Sequence, residues 1–456
     1  MIRTMQNPKP WLLIVTIGLG TLLNPLNSSM IAVALTRLQH EFVLSVATAS
    51  WLISAFYLAS AAGQPIFGKL SDMFGPKRLF LAGLIVAALA SSLAPFAPNF
   101  GWLLVCRIFQ AIGSSTLFPS GMSMVRKHIT VRQGKALAIL SIFTSTSAAF
   151  GPSIGGFLIE FWDWPAIFLV NFPFIIVSFV LAIFVLPGQK TRKIELHRID
   201  FVGILLFVIG IVTLIVFLLS IENGVHWWAL PVSVVSFISF YFYERQHHEP
   251  FIDLKSLKSN VNLSFVYLQF ICVNLVYYCS FIGLPLLLQQ MRGYSEGQTG
   301  LIMLSMAGCS VFIAPMAGRW IDRKGAKPPL IAGGISILLG TLLLLTLHIH
   351  SPLWWLIIIM IVLGIGSGFN NISMQMALYD YVTPEETGSA SGLFQTSRYL
   401  GSISASTVLG LLFSSHLDIT HFHWVAWACA LGSLLVLVLS LRLPKQPKRS
   451  TSQVNH

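Results

Sequence analysis

The sequence predicts an all-α integral membrane protein of fourteen transmembrane helices, arranged as six, two and six, with both termini in the cytoplasm. Three observations lead there. The 456 residues are 55% hydrophobic and only 10% charged, with a mean hydropathy of +0.78, whereas soluble domains carry about 25% charged residues. Fourteen mainly apolar runs approach the ~20 residues that a helix needs to cross a bilayer. A polar segment between two of these runs, Gly68-Lys-Leu-Ser-Asp72-Met-Phe-Gly75-Pro-Lys77-Arg78, returns 250 positions later as Gly318-Arg-Trp-Ile-Asp322-Arg-Lys-Gly325-Ala-Lys327.

The first run, 11–35, follows Arg3 and Lys9 and has no small-residue cleavage site behind it. It reads as a retained span, not a signal peptide. The others are 48–67, 79–97, 101–124, 136–158, 165–186, 201–221, 227–243, 261–285, 298–317, 328–348, 352–376, 389–413 and 424–442. The longest polar connection, Gly188 to Asp200, is too small for a domain. With the N-terminus inside, 24 of the 28 Lys and Arg fall on one side. Arg37 and Arg292 fall on the other, and Arg107 and Arg398 lie within spans. This positive-inside pattern sets the orientation. It also excludes nucleic acid as partner despite the net charge of +12, because polyanion binders gather cations on one face or in a tail.

Gly68, Asp72, Gly75 and Lys77 match Gly318, Asp322, Gly325 and Lys327 at one offset, the mark of a duplicated membrane unit. The offset leaves runs 201–221 and 227–243 between two six-helix halves. The expected domains are an N-terminal bundle at 1–187, a linker with two extra helices at 188–258, a C-terminal bundle at 259–443 and a basic cytoplasmic tail at 444–456. The eighth run is the weakest, ending at Tyr243-Glu244-Arg245. Twelve spans would require the central pair to leave the bilayer, against its hydrophobicity.

Four features carry chemistry. Asp72 is expected to face the positive N-terminal end of the thirteenth span, which starts at Gly388-Ser389-Ala390; Asp322 predicts a weaker counterpart in the second half. Arg107 lies in the fourth span with Gln110, Ala111 and Ser114 on one stripe, and an arginine within a membrane is a functional candidate, with snorkelling to the nearby outer end as the alternative. In the fifth span Gly151 and Gly155 allow close helix approach, and Pro152 can bend the helix. Polar residues within apolar helices are candidate cavity groups: Asn24, Asn27 and Ser28; Asn274, Tyr277 and Tyr278; Asn371 and Gln375; and Gln64, Gln395 and Arg398. Interhelical hydrogen bonding is the alternative use for each.

Other chemistries find little support. The five cysteines fall inside apolar runs without zinc or redox spacing. His348 and His350, and His421 and His423, read as outer-loop residues without a third metal ligand in reach. No phosphate-cradling loop for an ATP-driven pump occurs. No enzyme activity, cofactor or metal is expected.

These segments resemble the major facilitator superfamily. Residues 68–78 look like its motif A, with Gly68, Asp72, Gly75, Lys77 and Arg78 in place. Arg107-Ile-Phe-Gln110-Ala-Ile-Gly113 resembles motif B, and Gly151-Pro152-Ser-Ile-Gly155-Gly156 resembles the antiporter motif C. Trp164–Pro173, Gly388–Gly392 and Arg398–Gly401 are similar to the fourteen-span drug:proton antiporter group. The resemblance implies a secondary exporter in a bacterial cytoplasmic membrane, with two bundles rocking about a central cavity. In it, Asp72 would contribute to a cytoplasmic gate, Arg107 would assist proton coupling, and motif C would mark export. The working unit would be a monomer.

One departure matters. Where that group carries an aspartate in its first helix, this chain has Asn27, which cannot titrate. All sixteen Asp and Glu lie in loops or near span ends, including Glu160, Glu222 and Asp380. The expected cavity is neutral to positive, suited to a neutral or anionic amphipath. The leading expectation is proton-coupled efflux of lipophilic compounds, of the multidrug type. The alternatives are export of one endogenous metabolite, lipid or siderophore, or a membrane-embedded sensor or enzyme.

Overall fold

The computed structural model describes residues 9–188, 199–221, 224–247, 250–252, 254–413 and 418–444. Arg3, Glu222, most of the Gly188–Asp200 connection and the expected tail beyond 444 lie outside the described residues.

Among the described residues the chain is helical, with no strand. In order the helices are α1 (Pro10–Thr21), α2 (Leu23–Phe42), α3 (Val46–Phe74), α4 (Pro76–Leu93), α5 (Phe100–Ser115), α6 (Leu117–His128), α7 (Gln133–Trp162), α8 (Ala166–Leu169) and α9 (Asn171–Val185). Then follow α10 (Phe201–Ser220), α11 (Ala229–Gln246), α12 (Leu254–Ser259), α13 (Val261–Leu286), α14 (Glu296–Lys324), α15 (Lys327–Leu344), α16 (Leu353–Tyr381), α17 (Thr387–Phe413) and α18 (Ile419–Arg442). Every expected apolar run contains at least one of them. Among the described residues, however, ten stretches are long and apolar enough to cross a membrane, or eleven if the two bent halves of α7 count as one span. The expectation of fourteen exceeds this: helices α11 and α17 fall outside this set because α17 is rich in Ser, Thr, Gly and Gln, and α11 ends in Glu244-Arg245-Gln246.

The interruptions have one cause. A proline cannot bond the carbonyl four residues back, and its ring crowds that carbonyl. Helix α1 stops at Thr21, four before Pro25; α5 stops at Ser115, four before Pro119; α8 stops at Leu169, four before Pro173. In α7 the bend of 40° separates Gln133–Ala148 from Phe150–Trp162, again four residues before Pro152.

Helix ends also differ from expectation. Gly68–Phe74 is the last part of α3, not a loop, and the reversal is confined to Gly75. Its φ of 97°, like the 81° of Gly325, is a conformation that side-chain-bearing residues rarely adopt. Pro76 then starts α4. Arg37 was expected in a loop but lies on α2, where Nε and Nη2 donate to the two carboxylate oxygens of Asp163 at 2.8 and 2.7 Å. His421 and His423 were expected in an outer loop. They stand in the first two turns of α18, because Asp418 caps that helix by accepting from the His421 amide at 2.7 Å.

The chain divides into two compact units. The first comprises Met1–Thr130, Ile139–Ser259 and Val382–Ile403; the second comprises Val131–Ala138, Asn260–Tyr381 and Ser404–His456. The α10–α11 pair thus belongs to the first unit, and α7 and α17 contribute to both. In the first unit, Ile31, Leu38, Leu52, Leu103 and Phe168 form one apolar core. A second core packs Phe207, Ile211 and Phe240 against Ala61, Tyr399 and Ile403, fixing α10 and α11 on α3 and α17. The second unit has its own core around Leu284, Met306, Leu356, Met360 and Phe422.

Candidate functional site

Helix α3 ends beside the start of α17, and the sequence explains how closely. A Cβ on Gly68 would lie 2.3 Å from the carbonyl oxygen of Gly388, and one on Gly388 would lie 2.6 Å from the carbonyl oxygen of Gly68. Only glycine fits at either position. The approach brings Asp72 onto the first amides of α17: Gly388 N donates to Oδ1 at 2.9 Å, Ser389 N to Oδ2 at 2.7 Å, and Ser389 Oγ to Oδ2 at 2.9 Å. A carboxylate here satisfies helix N–H groups that have no partner within the helix and complements the helix dipole. Beside it lies a basic cavity of about 590 Å³, lined in part by Lys77, Arg78, Lys127 and Glu385.

The second unit repeats the device. Asp322 accepts from Gly134 N at 2.9 Å and Lys135 N at 3.2 Å, at the start of α7. Gly318 and Gly134 approach as Gly68 and Gly388 do, each within 2.6 Å of where the other's Cβ would stand. The lysines repeat as well. Lys77 Nζ donates to Ile183 O and Leu186 O at 2.8 and 2.6 Å, closing the C-terminal end of α9. Lys327 Nζ donates to Leu441 O at 2.8 Å and to Leu443 O, closing that of α18. Each repeated segment therefore places an acid on a helix start and a lysine on a helix end.

Burial pushes Asp72 up to about 6, against the lowering effect of the Ser389 and Gly388 hydrogen bonds and of Lys127. A docked acid that binds its proton more tightly than a free one is docked most firmly at low pH, and docking weakens as pH rises through about 6. The groups facing it are Lys77 and Arg78 on α4, Lys127 on α6 and Glu385 before α17. Hydrogen-exchange protection of the Gly388 and Ser389 amides, corrected for intrinsic exchange, is expected to fall as pH rises from about 4 to about 6 and to level off above that. In Asp72→Asn it should be flat; equal slopes in both proteins would remove the linkage.

Four of the cavity candidates, Asn24, Gln64, Gln395 and Arg398, meet in the first unit with Thr144 and Tyr399. Tyr399 Oη donates to Asn24 Oδ1 at 2.8 Å, and Asn24 Nδ2 donates to Ser114 Oγ at 3.1 Å. Gln64 is 1% exposed, and its Oε1 accepts no hydrogen bond. The cavity measures only about 20 Å³, room for about one water. Arg398 is the charged residue in its lining; no acid lines it.

Asn27 faces elsewhere. It joins a buried chain in which Arg107 Nη1 donates to Gln110 Oε1 at 2.5 Å, and Gln110 Nε2 donates to Asn27 Oδ1 and Ser91 Oγ, both at 3.0 Å. Asn171 Nδ2 donates to the same Asn27 oxygen at 2.9 Å. Arg107 does not snorkel. It is 1% exposed, its guanidinium carbon sits 4.4 Å from the Phe56 ring centre, and its Nη2 has no hydrogen-bond partner. Gly113, the third residue of this motif, packs α5 onto α4, its absent Cβ falling 2.6 Å from Ala87 N.

In α7, Gly151 and Gly155 lie against α2: a Cβ would stand 1.8 Å from Ser29 Oγ in the first case and 3.2 Å from Met30 Cβ in the second. Gly156 is looser, 3.8 Å from Val33 Cγ1, and Pro152 is exposed. In the second unit, Asn274 Nδ2 bonds Phe270 O at 2.8 Å, Tyr277 stacks on Phe281 and packs edge-on to Tyr278, and Gln375 Nε2 bonds Tyr379 Oη at 3.1 Å. Asn371 is half-buried. None of these lines the first unit's cavity.

Sequence reasoning placed Asp72 at Gly388 but missed Gly134 as the partner of Asp322, Asn171 as an Asn27 partner and Tyr399 as an Asn24 partner. It also missed the two most buried acids among the described residues, Asp200 and Glu244. A glycine opening a helix opposite a repeated Gly-xxx-Asp was the available signal for Gly134.

The chain belongs to the Major Facilitator Superfamily: the family's model matches residues 17–406. It is similar to the uncharacterized MFS-type transporter YwoD of Bacillus subtilis, 44% identical over 94% of this chain and 96% of that one. It is 28% identical to the riboflavin transporter RibZ of Clostridioides difficile, over 89% of this chain and 87% of that one. It is 26% identical to the multidrug transporter protein MdtP of Bacillus subtilis, over 91% and 77%. The protein is thus a multi-pass membrane transporter for small molecules, not an enzyme.

Proposed function

We propose that the protein is a proton-coupled exporter of neutral or anionic amphipathic molecules, working by alternating access in a bacterial cytoplasmic membrane. The observation that carries this reading is the pair of acid-to-helix-start latches, Asp72 on α17 and Asp322 on α7. Such a latch can make and break without disturbing either helix, as a gate requires. In this reading α3, α11 and α17 also cross the bilayer, completing fourteen spans. The polar faces of α11 and α17 are buried against neighbours, so hydropathy understates them. Gly151 and Gly155 provide a smooth surface on which α7 and α2 can slide. The similarity to a multidrug transporter supports a broad substrate range. In the cavity, Arg398 and six amide or hydroxyl side chains favour a neutral or anionic ligand over a cation.

The test is accumulation of a panel of fluorescent amphipaths of each charge in expressing cells, with and without protonophore. Neutral and anionic dyes should be retained less in expressing cells, and protonophore should abolish the difference. Equal retention across the panel would remove broad export. The second reading, a transporter dedicated to one metabolite, is favoured by the likeness to a riboflavin transporter and by the charge-poor lining. It predicts a response to a single planar, weakly charged compound in the same panel.

A further inference from the structure

Among the described residues, two carboxylates are less than 9% exposed: Asp200 at 4% and Glu244 at 2%. They are on the same patch. Asp200 caps α10, its Oδ1 accepting from Gly203 N at 2.7 Å. Glu244, near the end of α11, accepts from Phe251 N and Ile252 N at 3.1 and 3.3 Å, both through Oε1. A Cβ on Gly203 would lie 2.2 Å from Asp200 Oδ2 and 2.7 Å from Glu244 Oε1, so the two carboxyls converge over one glycine. Each keeps one buried oxygen, Asp200 Oδ2 and Glu244 Oε2, that accepts no hydrogen bond.

Two converging buried carboxyls, each with one unfilled oxygen, are costly if both groups are ionised. The cost is removed by a cation or by a proton. A divalent metal is disfavoured, because among the described residues no third carboxylate, histidine or cysteine joins the pair. Lys69 on α3 already supplies a nearby positive charge, and its Nζ is held by Pro250 O at 2.8 Å. One positive charge between two acids leaves one negative charge to neutralise. We propose that Asp200 and Glu244 form a buried proton-binding site, in which the proton sits on Glu244 and Asp200 is the neighbouring carboxyl that favours it. Consistent with it, burial first and Asp200 second push Glu244 up to about 7, against the Ile252 and Phe251 hydrogen bonds and Lys69. The other titratable groups at the site are Tyr243, whose side chain hydrogen-bonds the Asp200 carboxyl, and His247, which packs on the Tyr243 ring.

The site's position gives it reach. Lys69 lies between Gln64 of the cavity and Asp72 of the latch on the same helix, so proton occupancy of the pair changes the field along α3. The site is independent of what the transporter carries. It supplies a protonatable group to a chain whose first helix has Asn27 where an acid is usual.

The experiment is an infrared pH titration of the full-length protein in lipid nanodiscs, following the carbonyl stretch of protonated carboxyl groups from pH 5 to 9. The expected result is a buried-acid band that disappears near neutral pH. Glu244→Gln should remove that neutral transition. Asp200→Asn should move it down by about one pH unit or more, because a neighbouring like charge is gone. Lys69→Gln leaves both acids in place and should move it up, which keeps the test open if either isostere misfolds. A wild-type spectrum without the band, or a band unchanged in Glu244→Gln or Lys69→Gln, overturns the proposal.

Discussion

Asp72→Ala is expected to cut export at least tenfold while the protein remains in the membrane at normal levels. The substitution removes three acceptor contacts at the start of α17. Hydrogen bonds to a charged group are worth about 1.5–3 kcal/mol each, and the two amides lose a partner they cannot replace within their helix. Solvent entering the basic cavity offsets part of this, so a net loss of about 2–3 kcal/mol is expected, or one to two decades in latch population. Asp72→Asn keeps one acceptor oxygen but turns its amide nitrogen towards a donor, and should fall between alanine and wild type. Gly388→Val should match alanine by another route, its Cβ standing 2.5 Å from Asp72 Oδ1 and 2.6 Å from Gly68 O. Asp322→Ala should cost less, because that acid is exposed and makes two contacts where Asp72 makes three. Transport in inverted vesicles at matched protein levels measures the order. Wild-type rates in Asp72→Ala would remove the latch from the transport cycle.

How much of this was legible in the sequence depends on the range of the interaction. The apolar runs located every long helix, because burial in lipid is a property of a segment alone. The repeat at an offset of 250 residues pointed to Asp72 and Asp322, because duplicated segments meet duplicated surroundings. What α3 meets at Gly388 was also readable, since a buried acid and a helix start are complementary. The division of the polar residues was not. Asn24 and Asn27 are three residues apart and share a helix face, yet Asn24 turns to the cavity and Asn27 to Arg107, because Pro25 and the break at Leu22 set where that face points. Nor could local pattern show that Asp200 and Glu244, 44 positions apart, converge over Gly203. Each looked like a solvated residue at a span end, and only the α10–α11 packing buries them.

Helix α3 connects these features. In sequence order it carries Gln64 in the cavity, Gly68 at the close approach, Lys69 beside the carboxyl pair and Asp72 at the latch. A shift of that helix alters all four together, whereas α2 and α5 hold a hydrogen-bonded core with no acid in it. That separation explains how a chain with Asn27 in place of a titrating residue can still respond to protons: the protonatable groups lie beyond the apolar part of α3.

The separation makes a strong prediction at Asn27. Asn27→Asp is expected to leave the protein near wild-type stability at pH 5 and to lower its unfolding temperature in detergent by several degrees at pH 8–9. The amide now fills both its roles: Oδ1 accepts from Gln110 and Asn171, and Nδ2 donates to Leu23 O at 2.8 Å. A carboxyl preserves the first role. In the second it sets an oxygen against a carbonyl oxygen, and only a proton on that oxygen restores the contact. Losing the proton leaves two acceptors face to face and a buried charge, a penalty of several kcal/mol when uncompensated. Arg107 compensates only in part, since it reaches Asn27 through Gln110. The introduced acid therefore binds its proton more tightly in the folded protein than in the unfolded chain. Its stability contribution is complete at low pH and lost as pH rises. Adding Arg107→Gln should shift the loss to higher pH, because removing the guanidinium favours the protonated carboxyl further. A single Asn27→Asp variant whose unfolding temperature follows wild type across the whole range would show that the carboxyl has found another donor. The Arg107–Gln110–Asn27–Asn171 chain would then not be what fixes that residue's protonation.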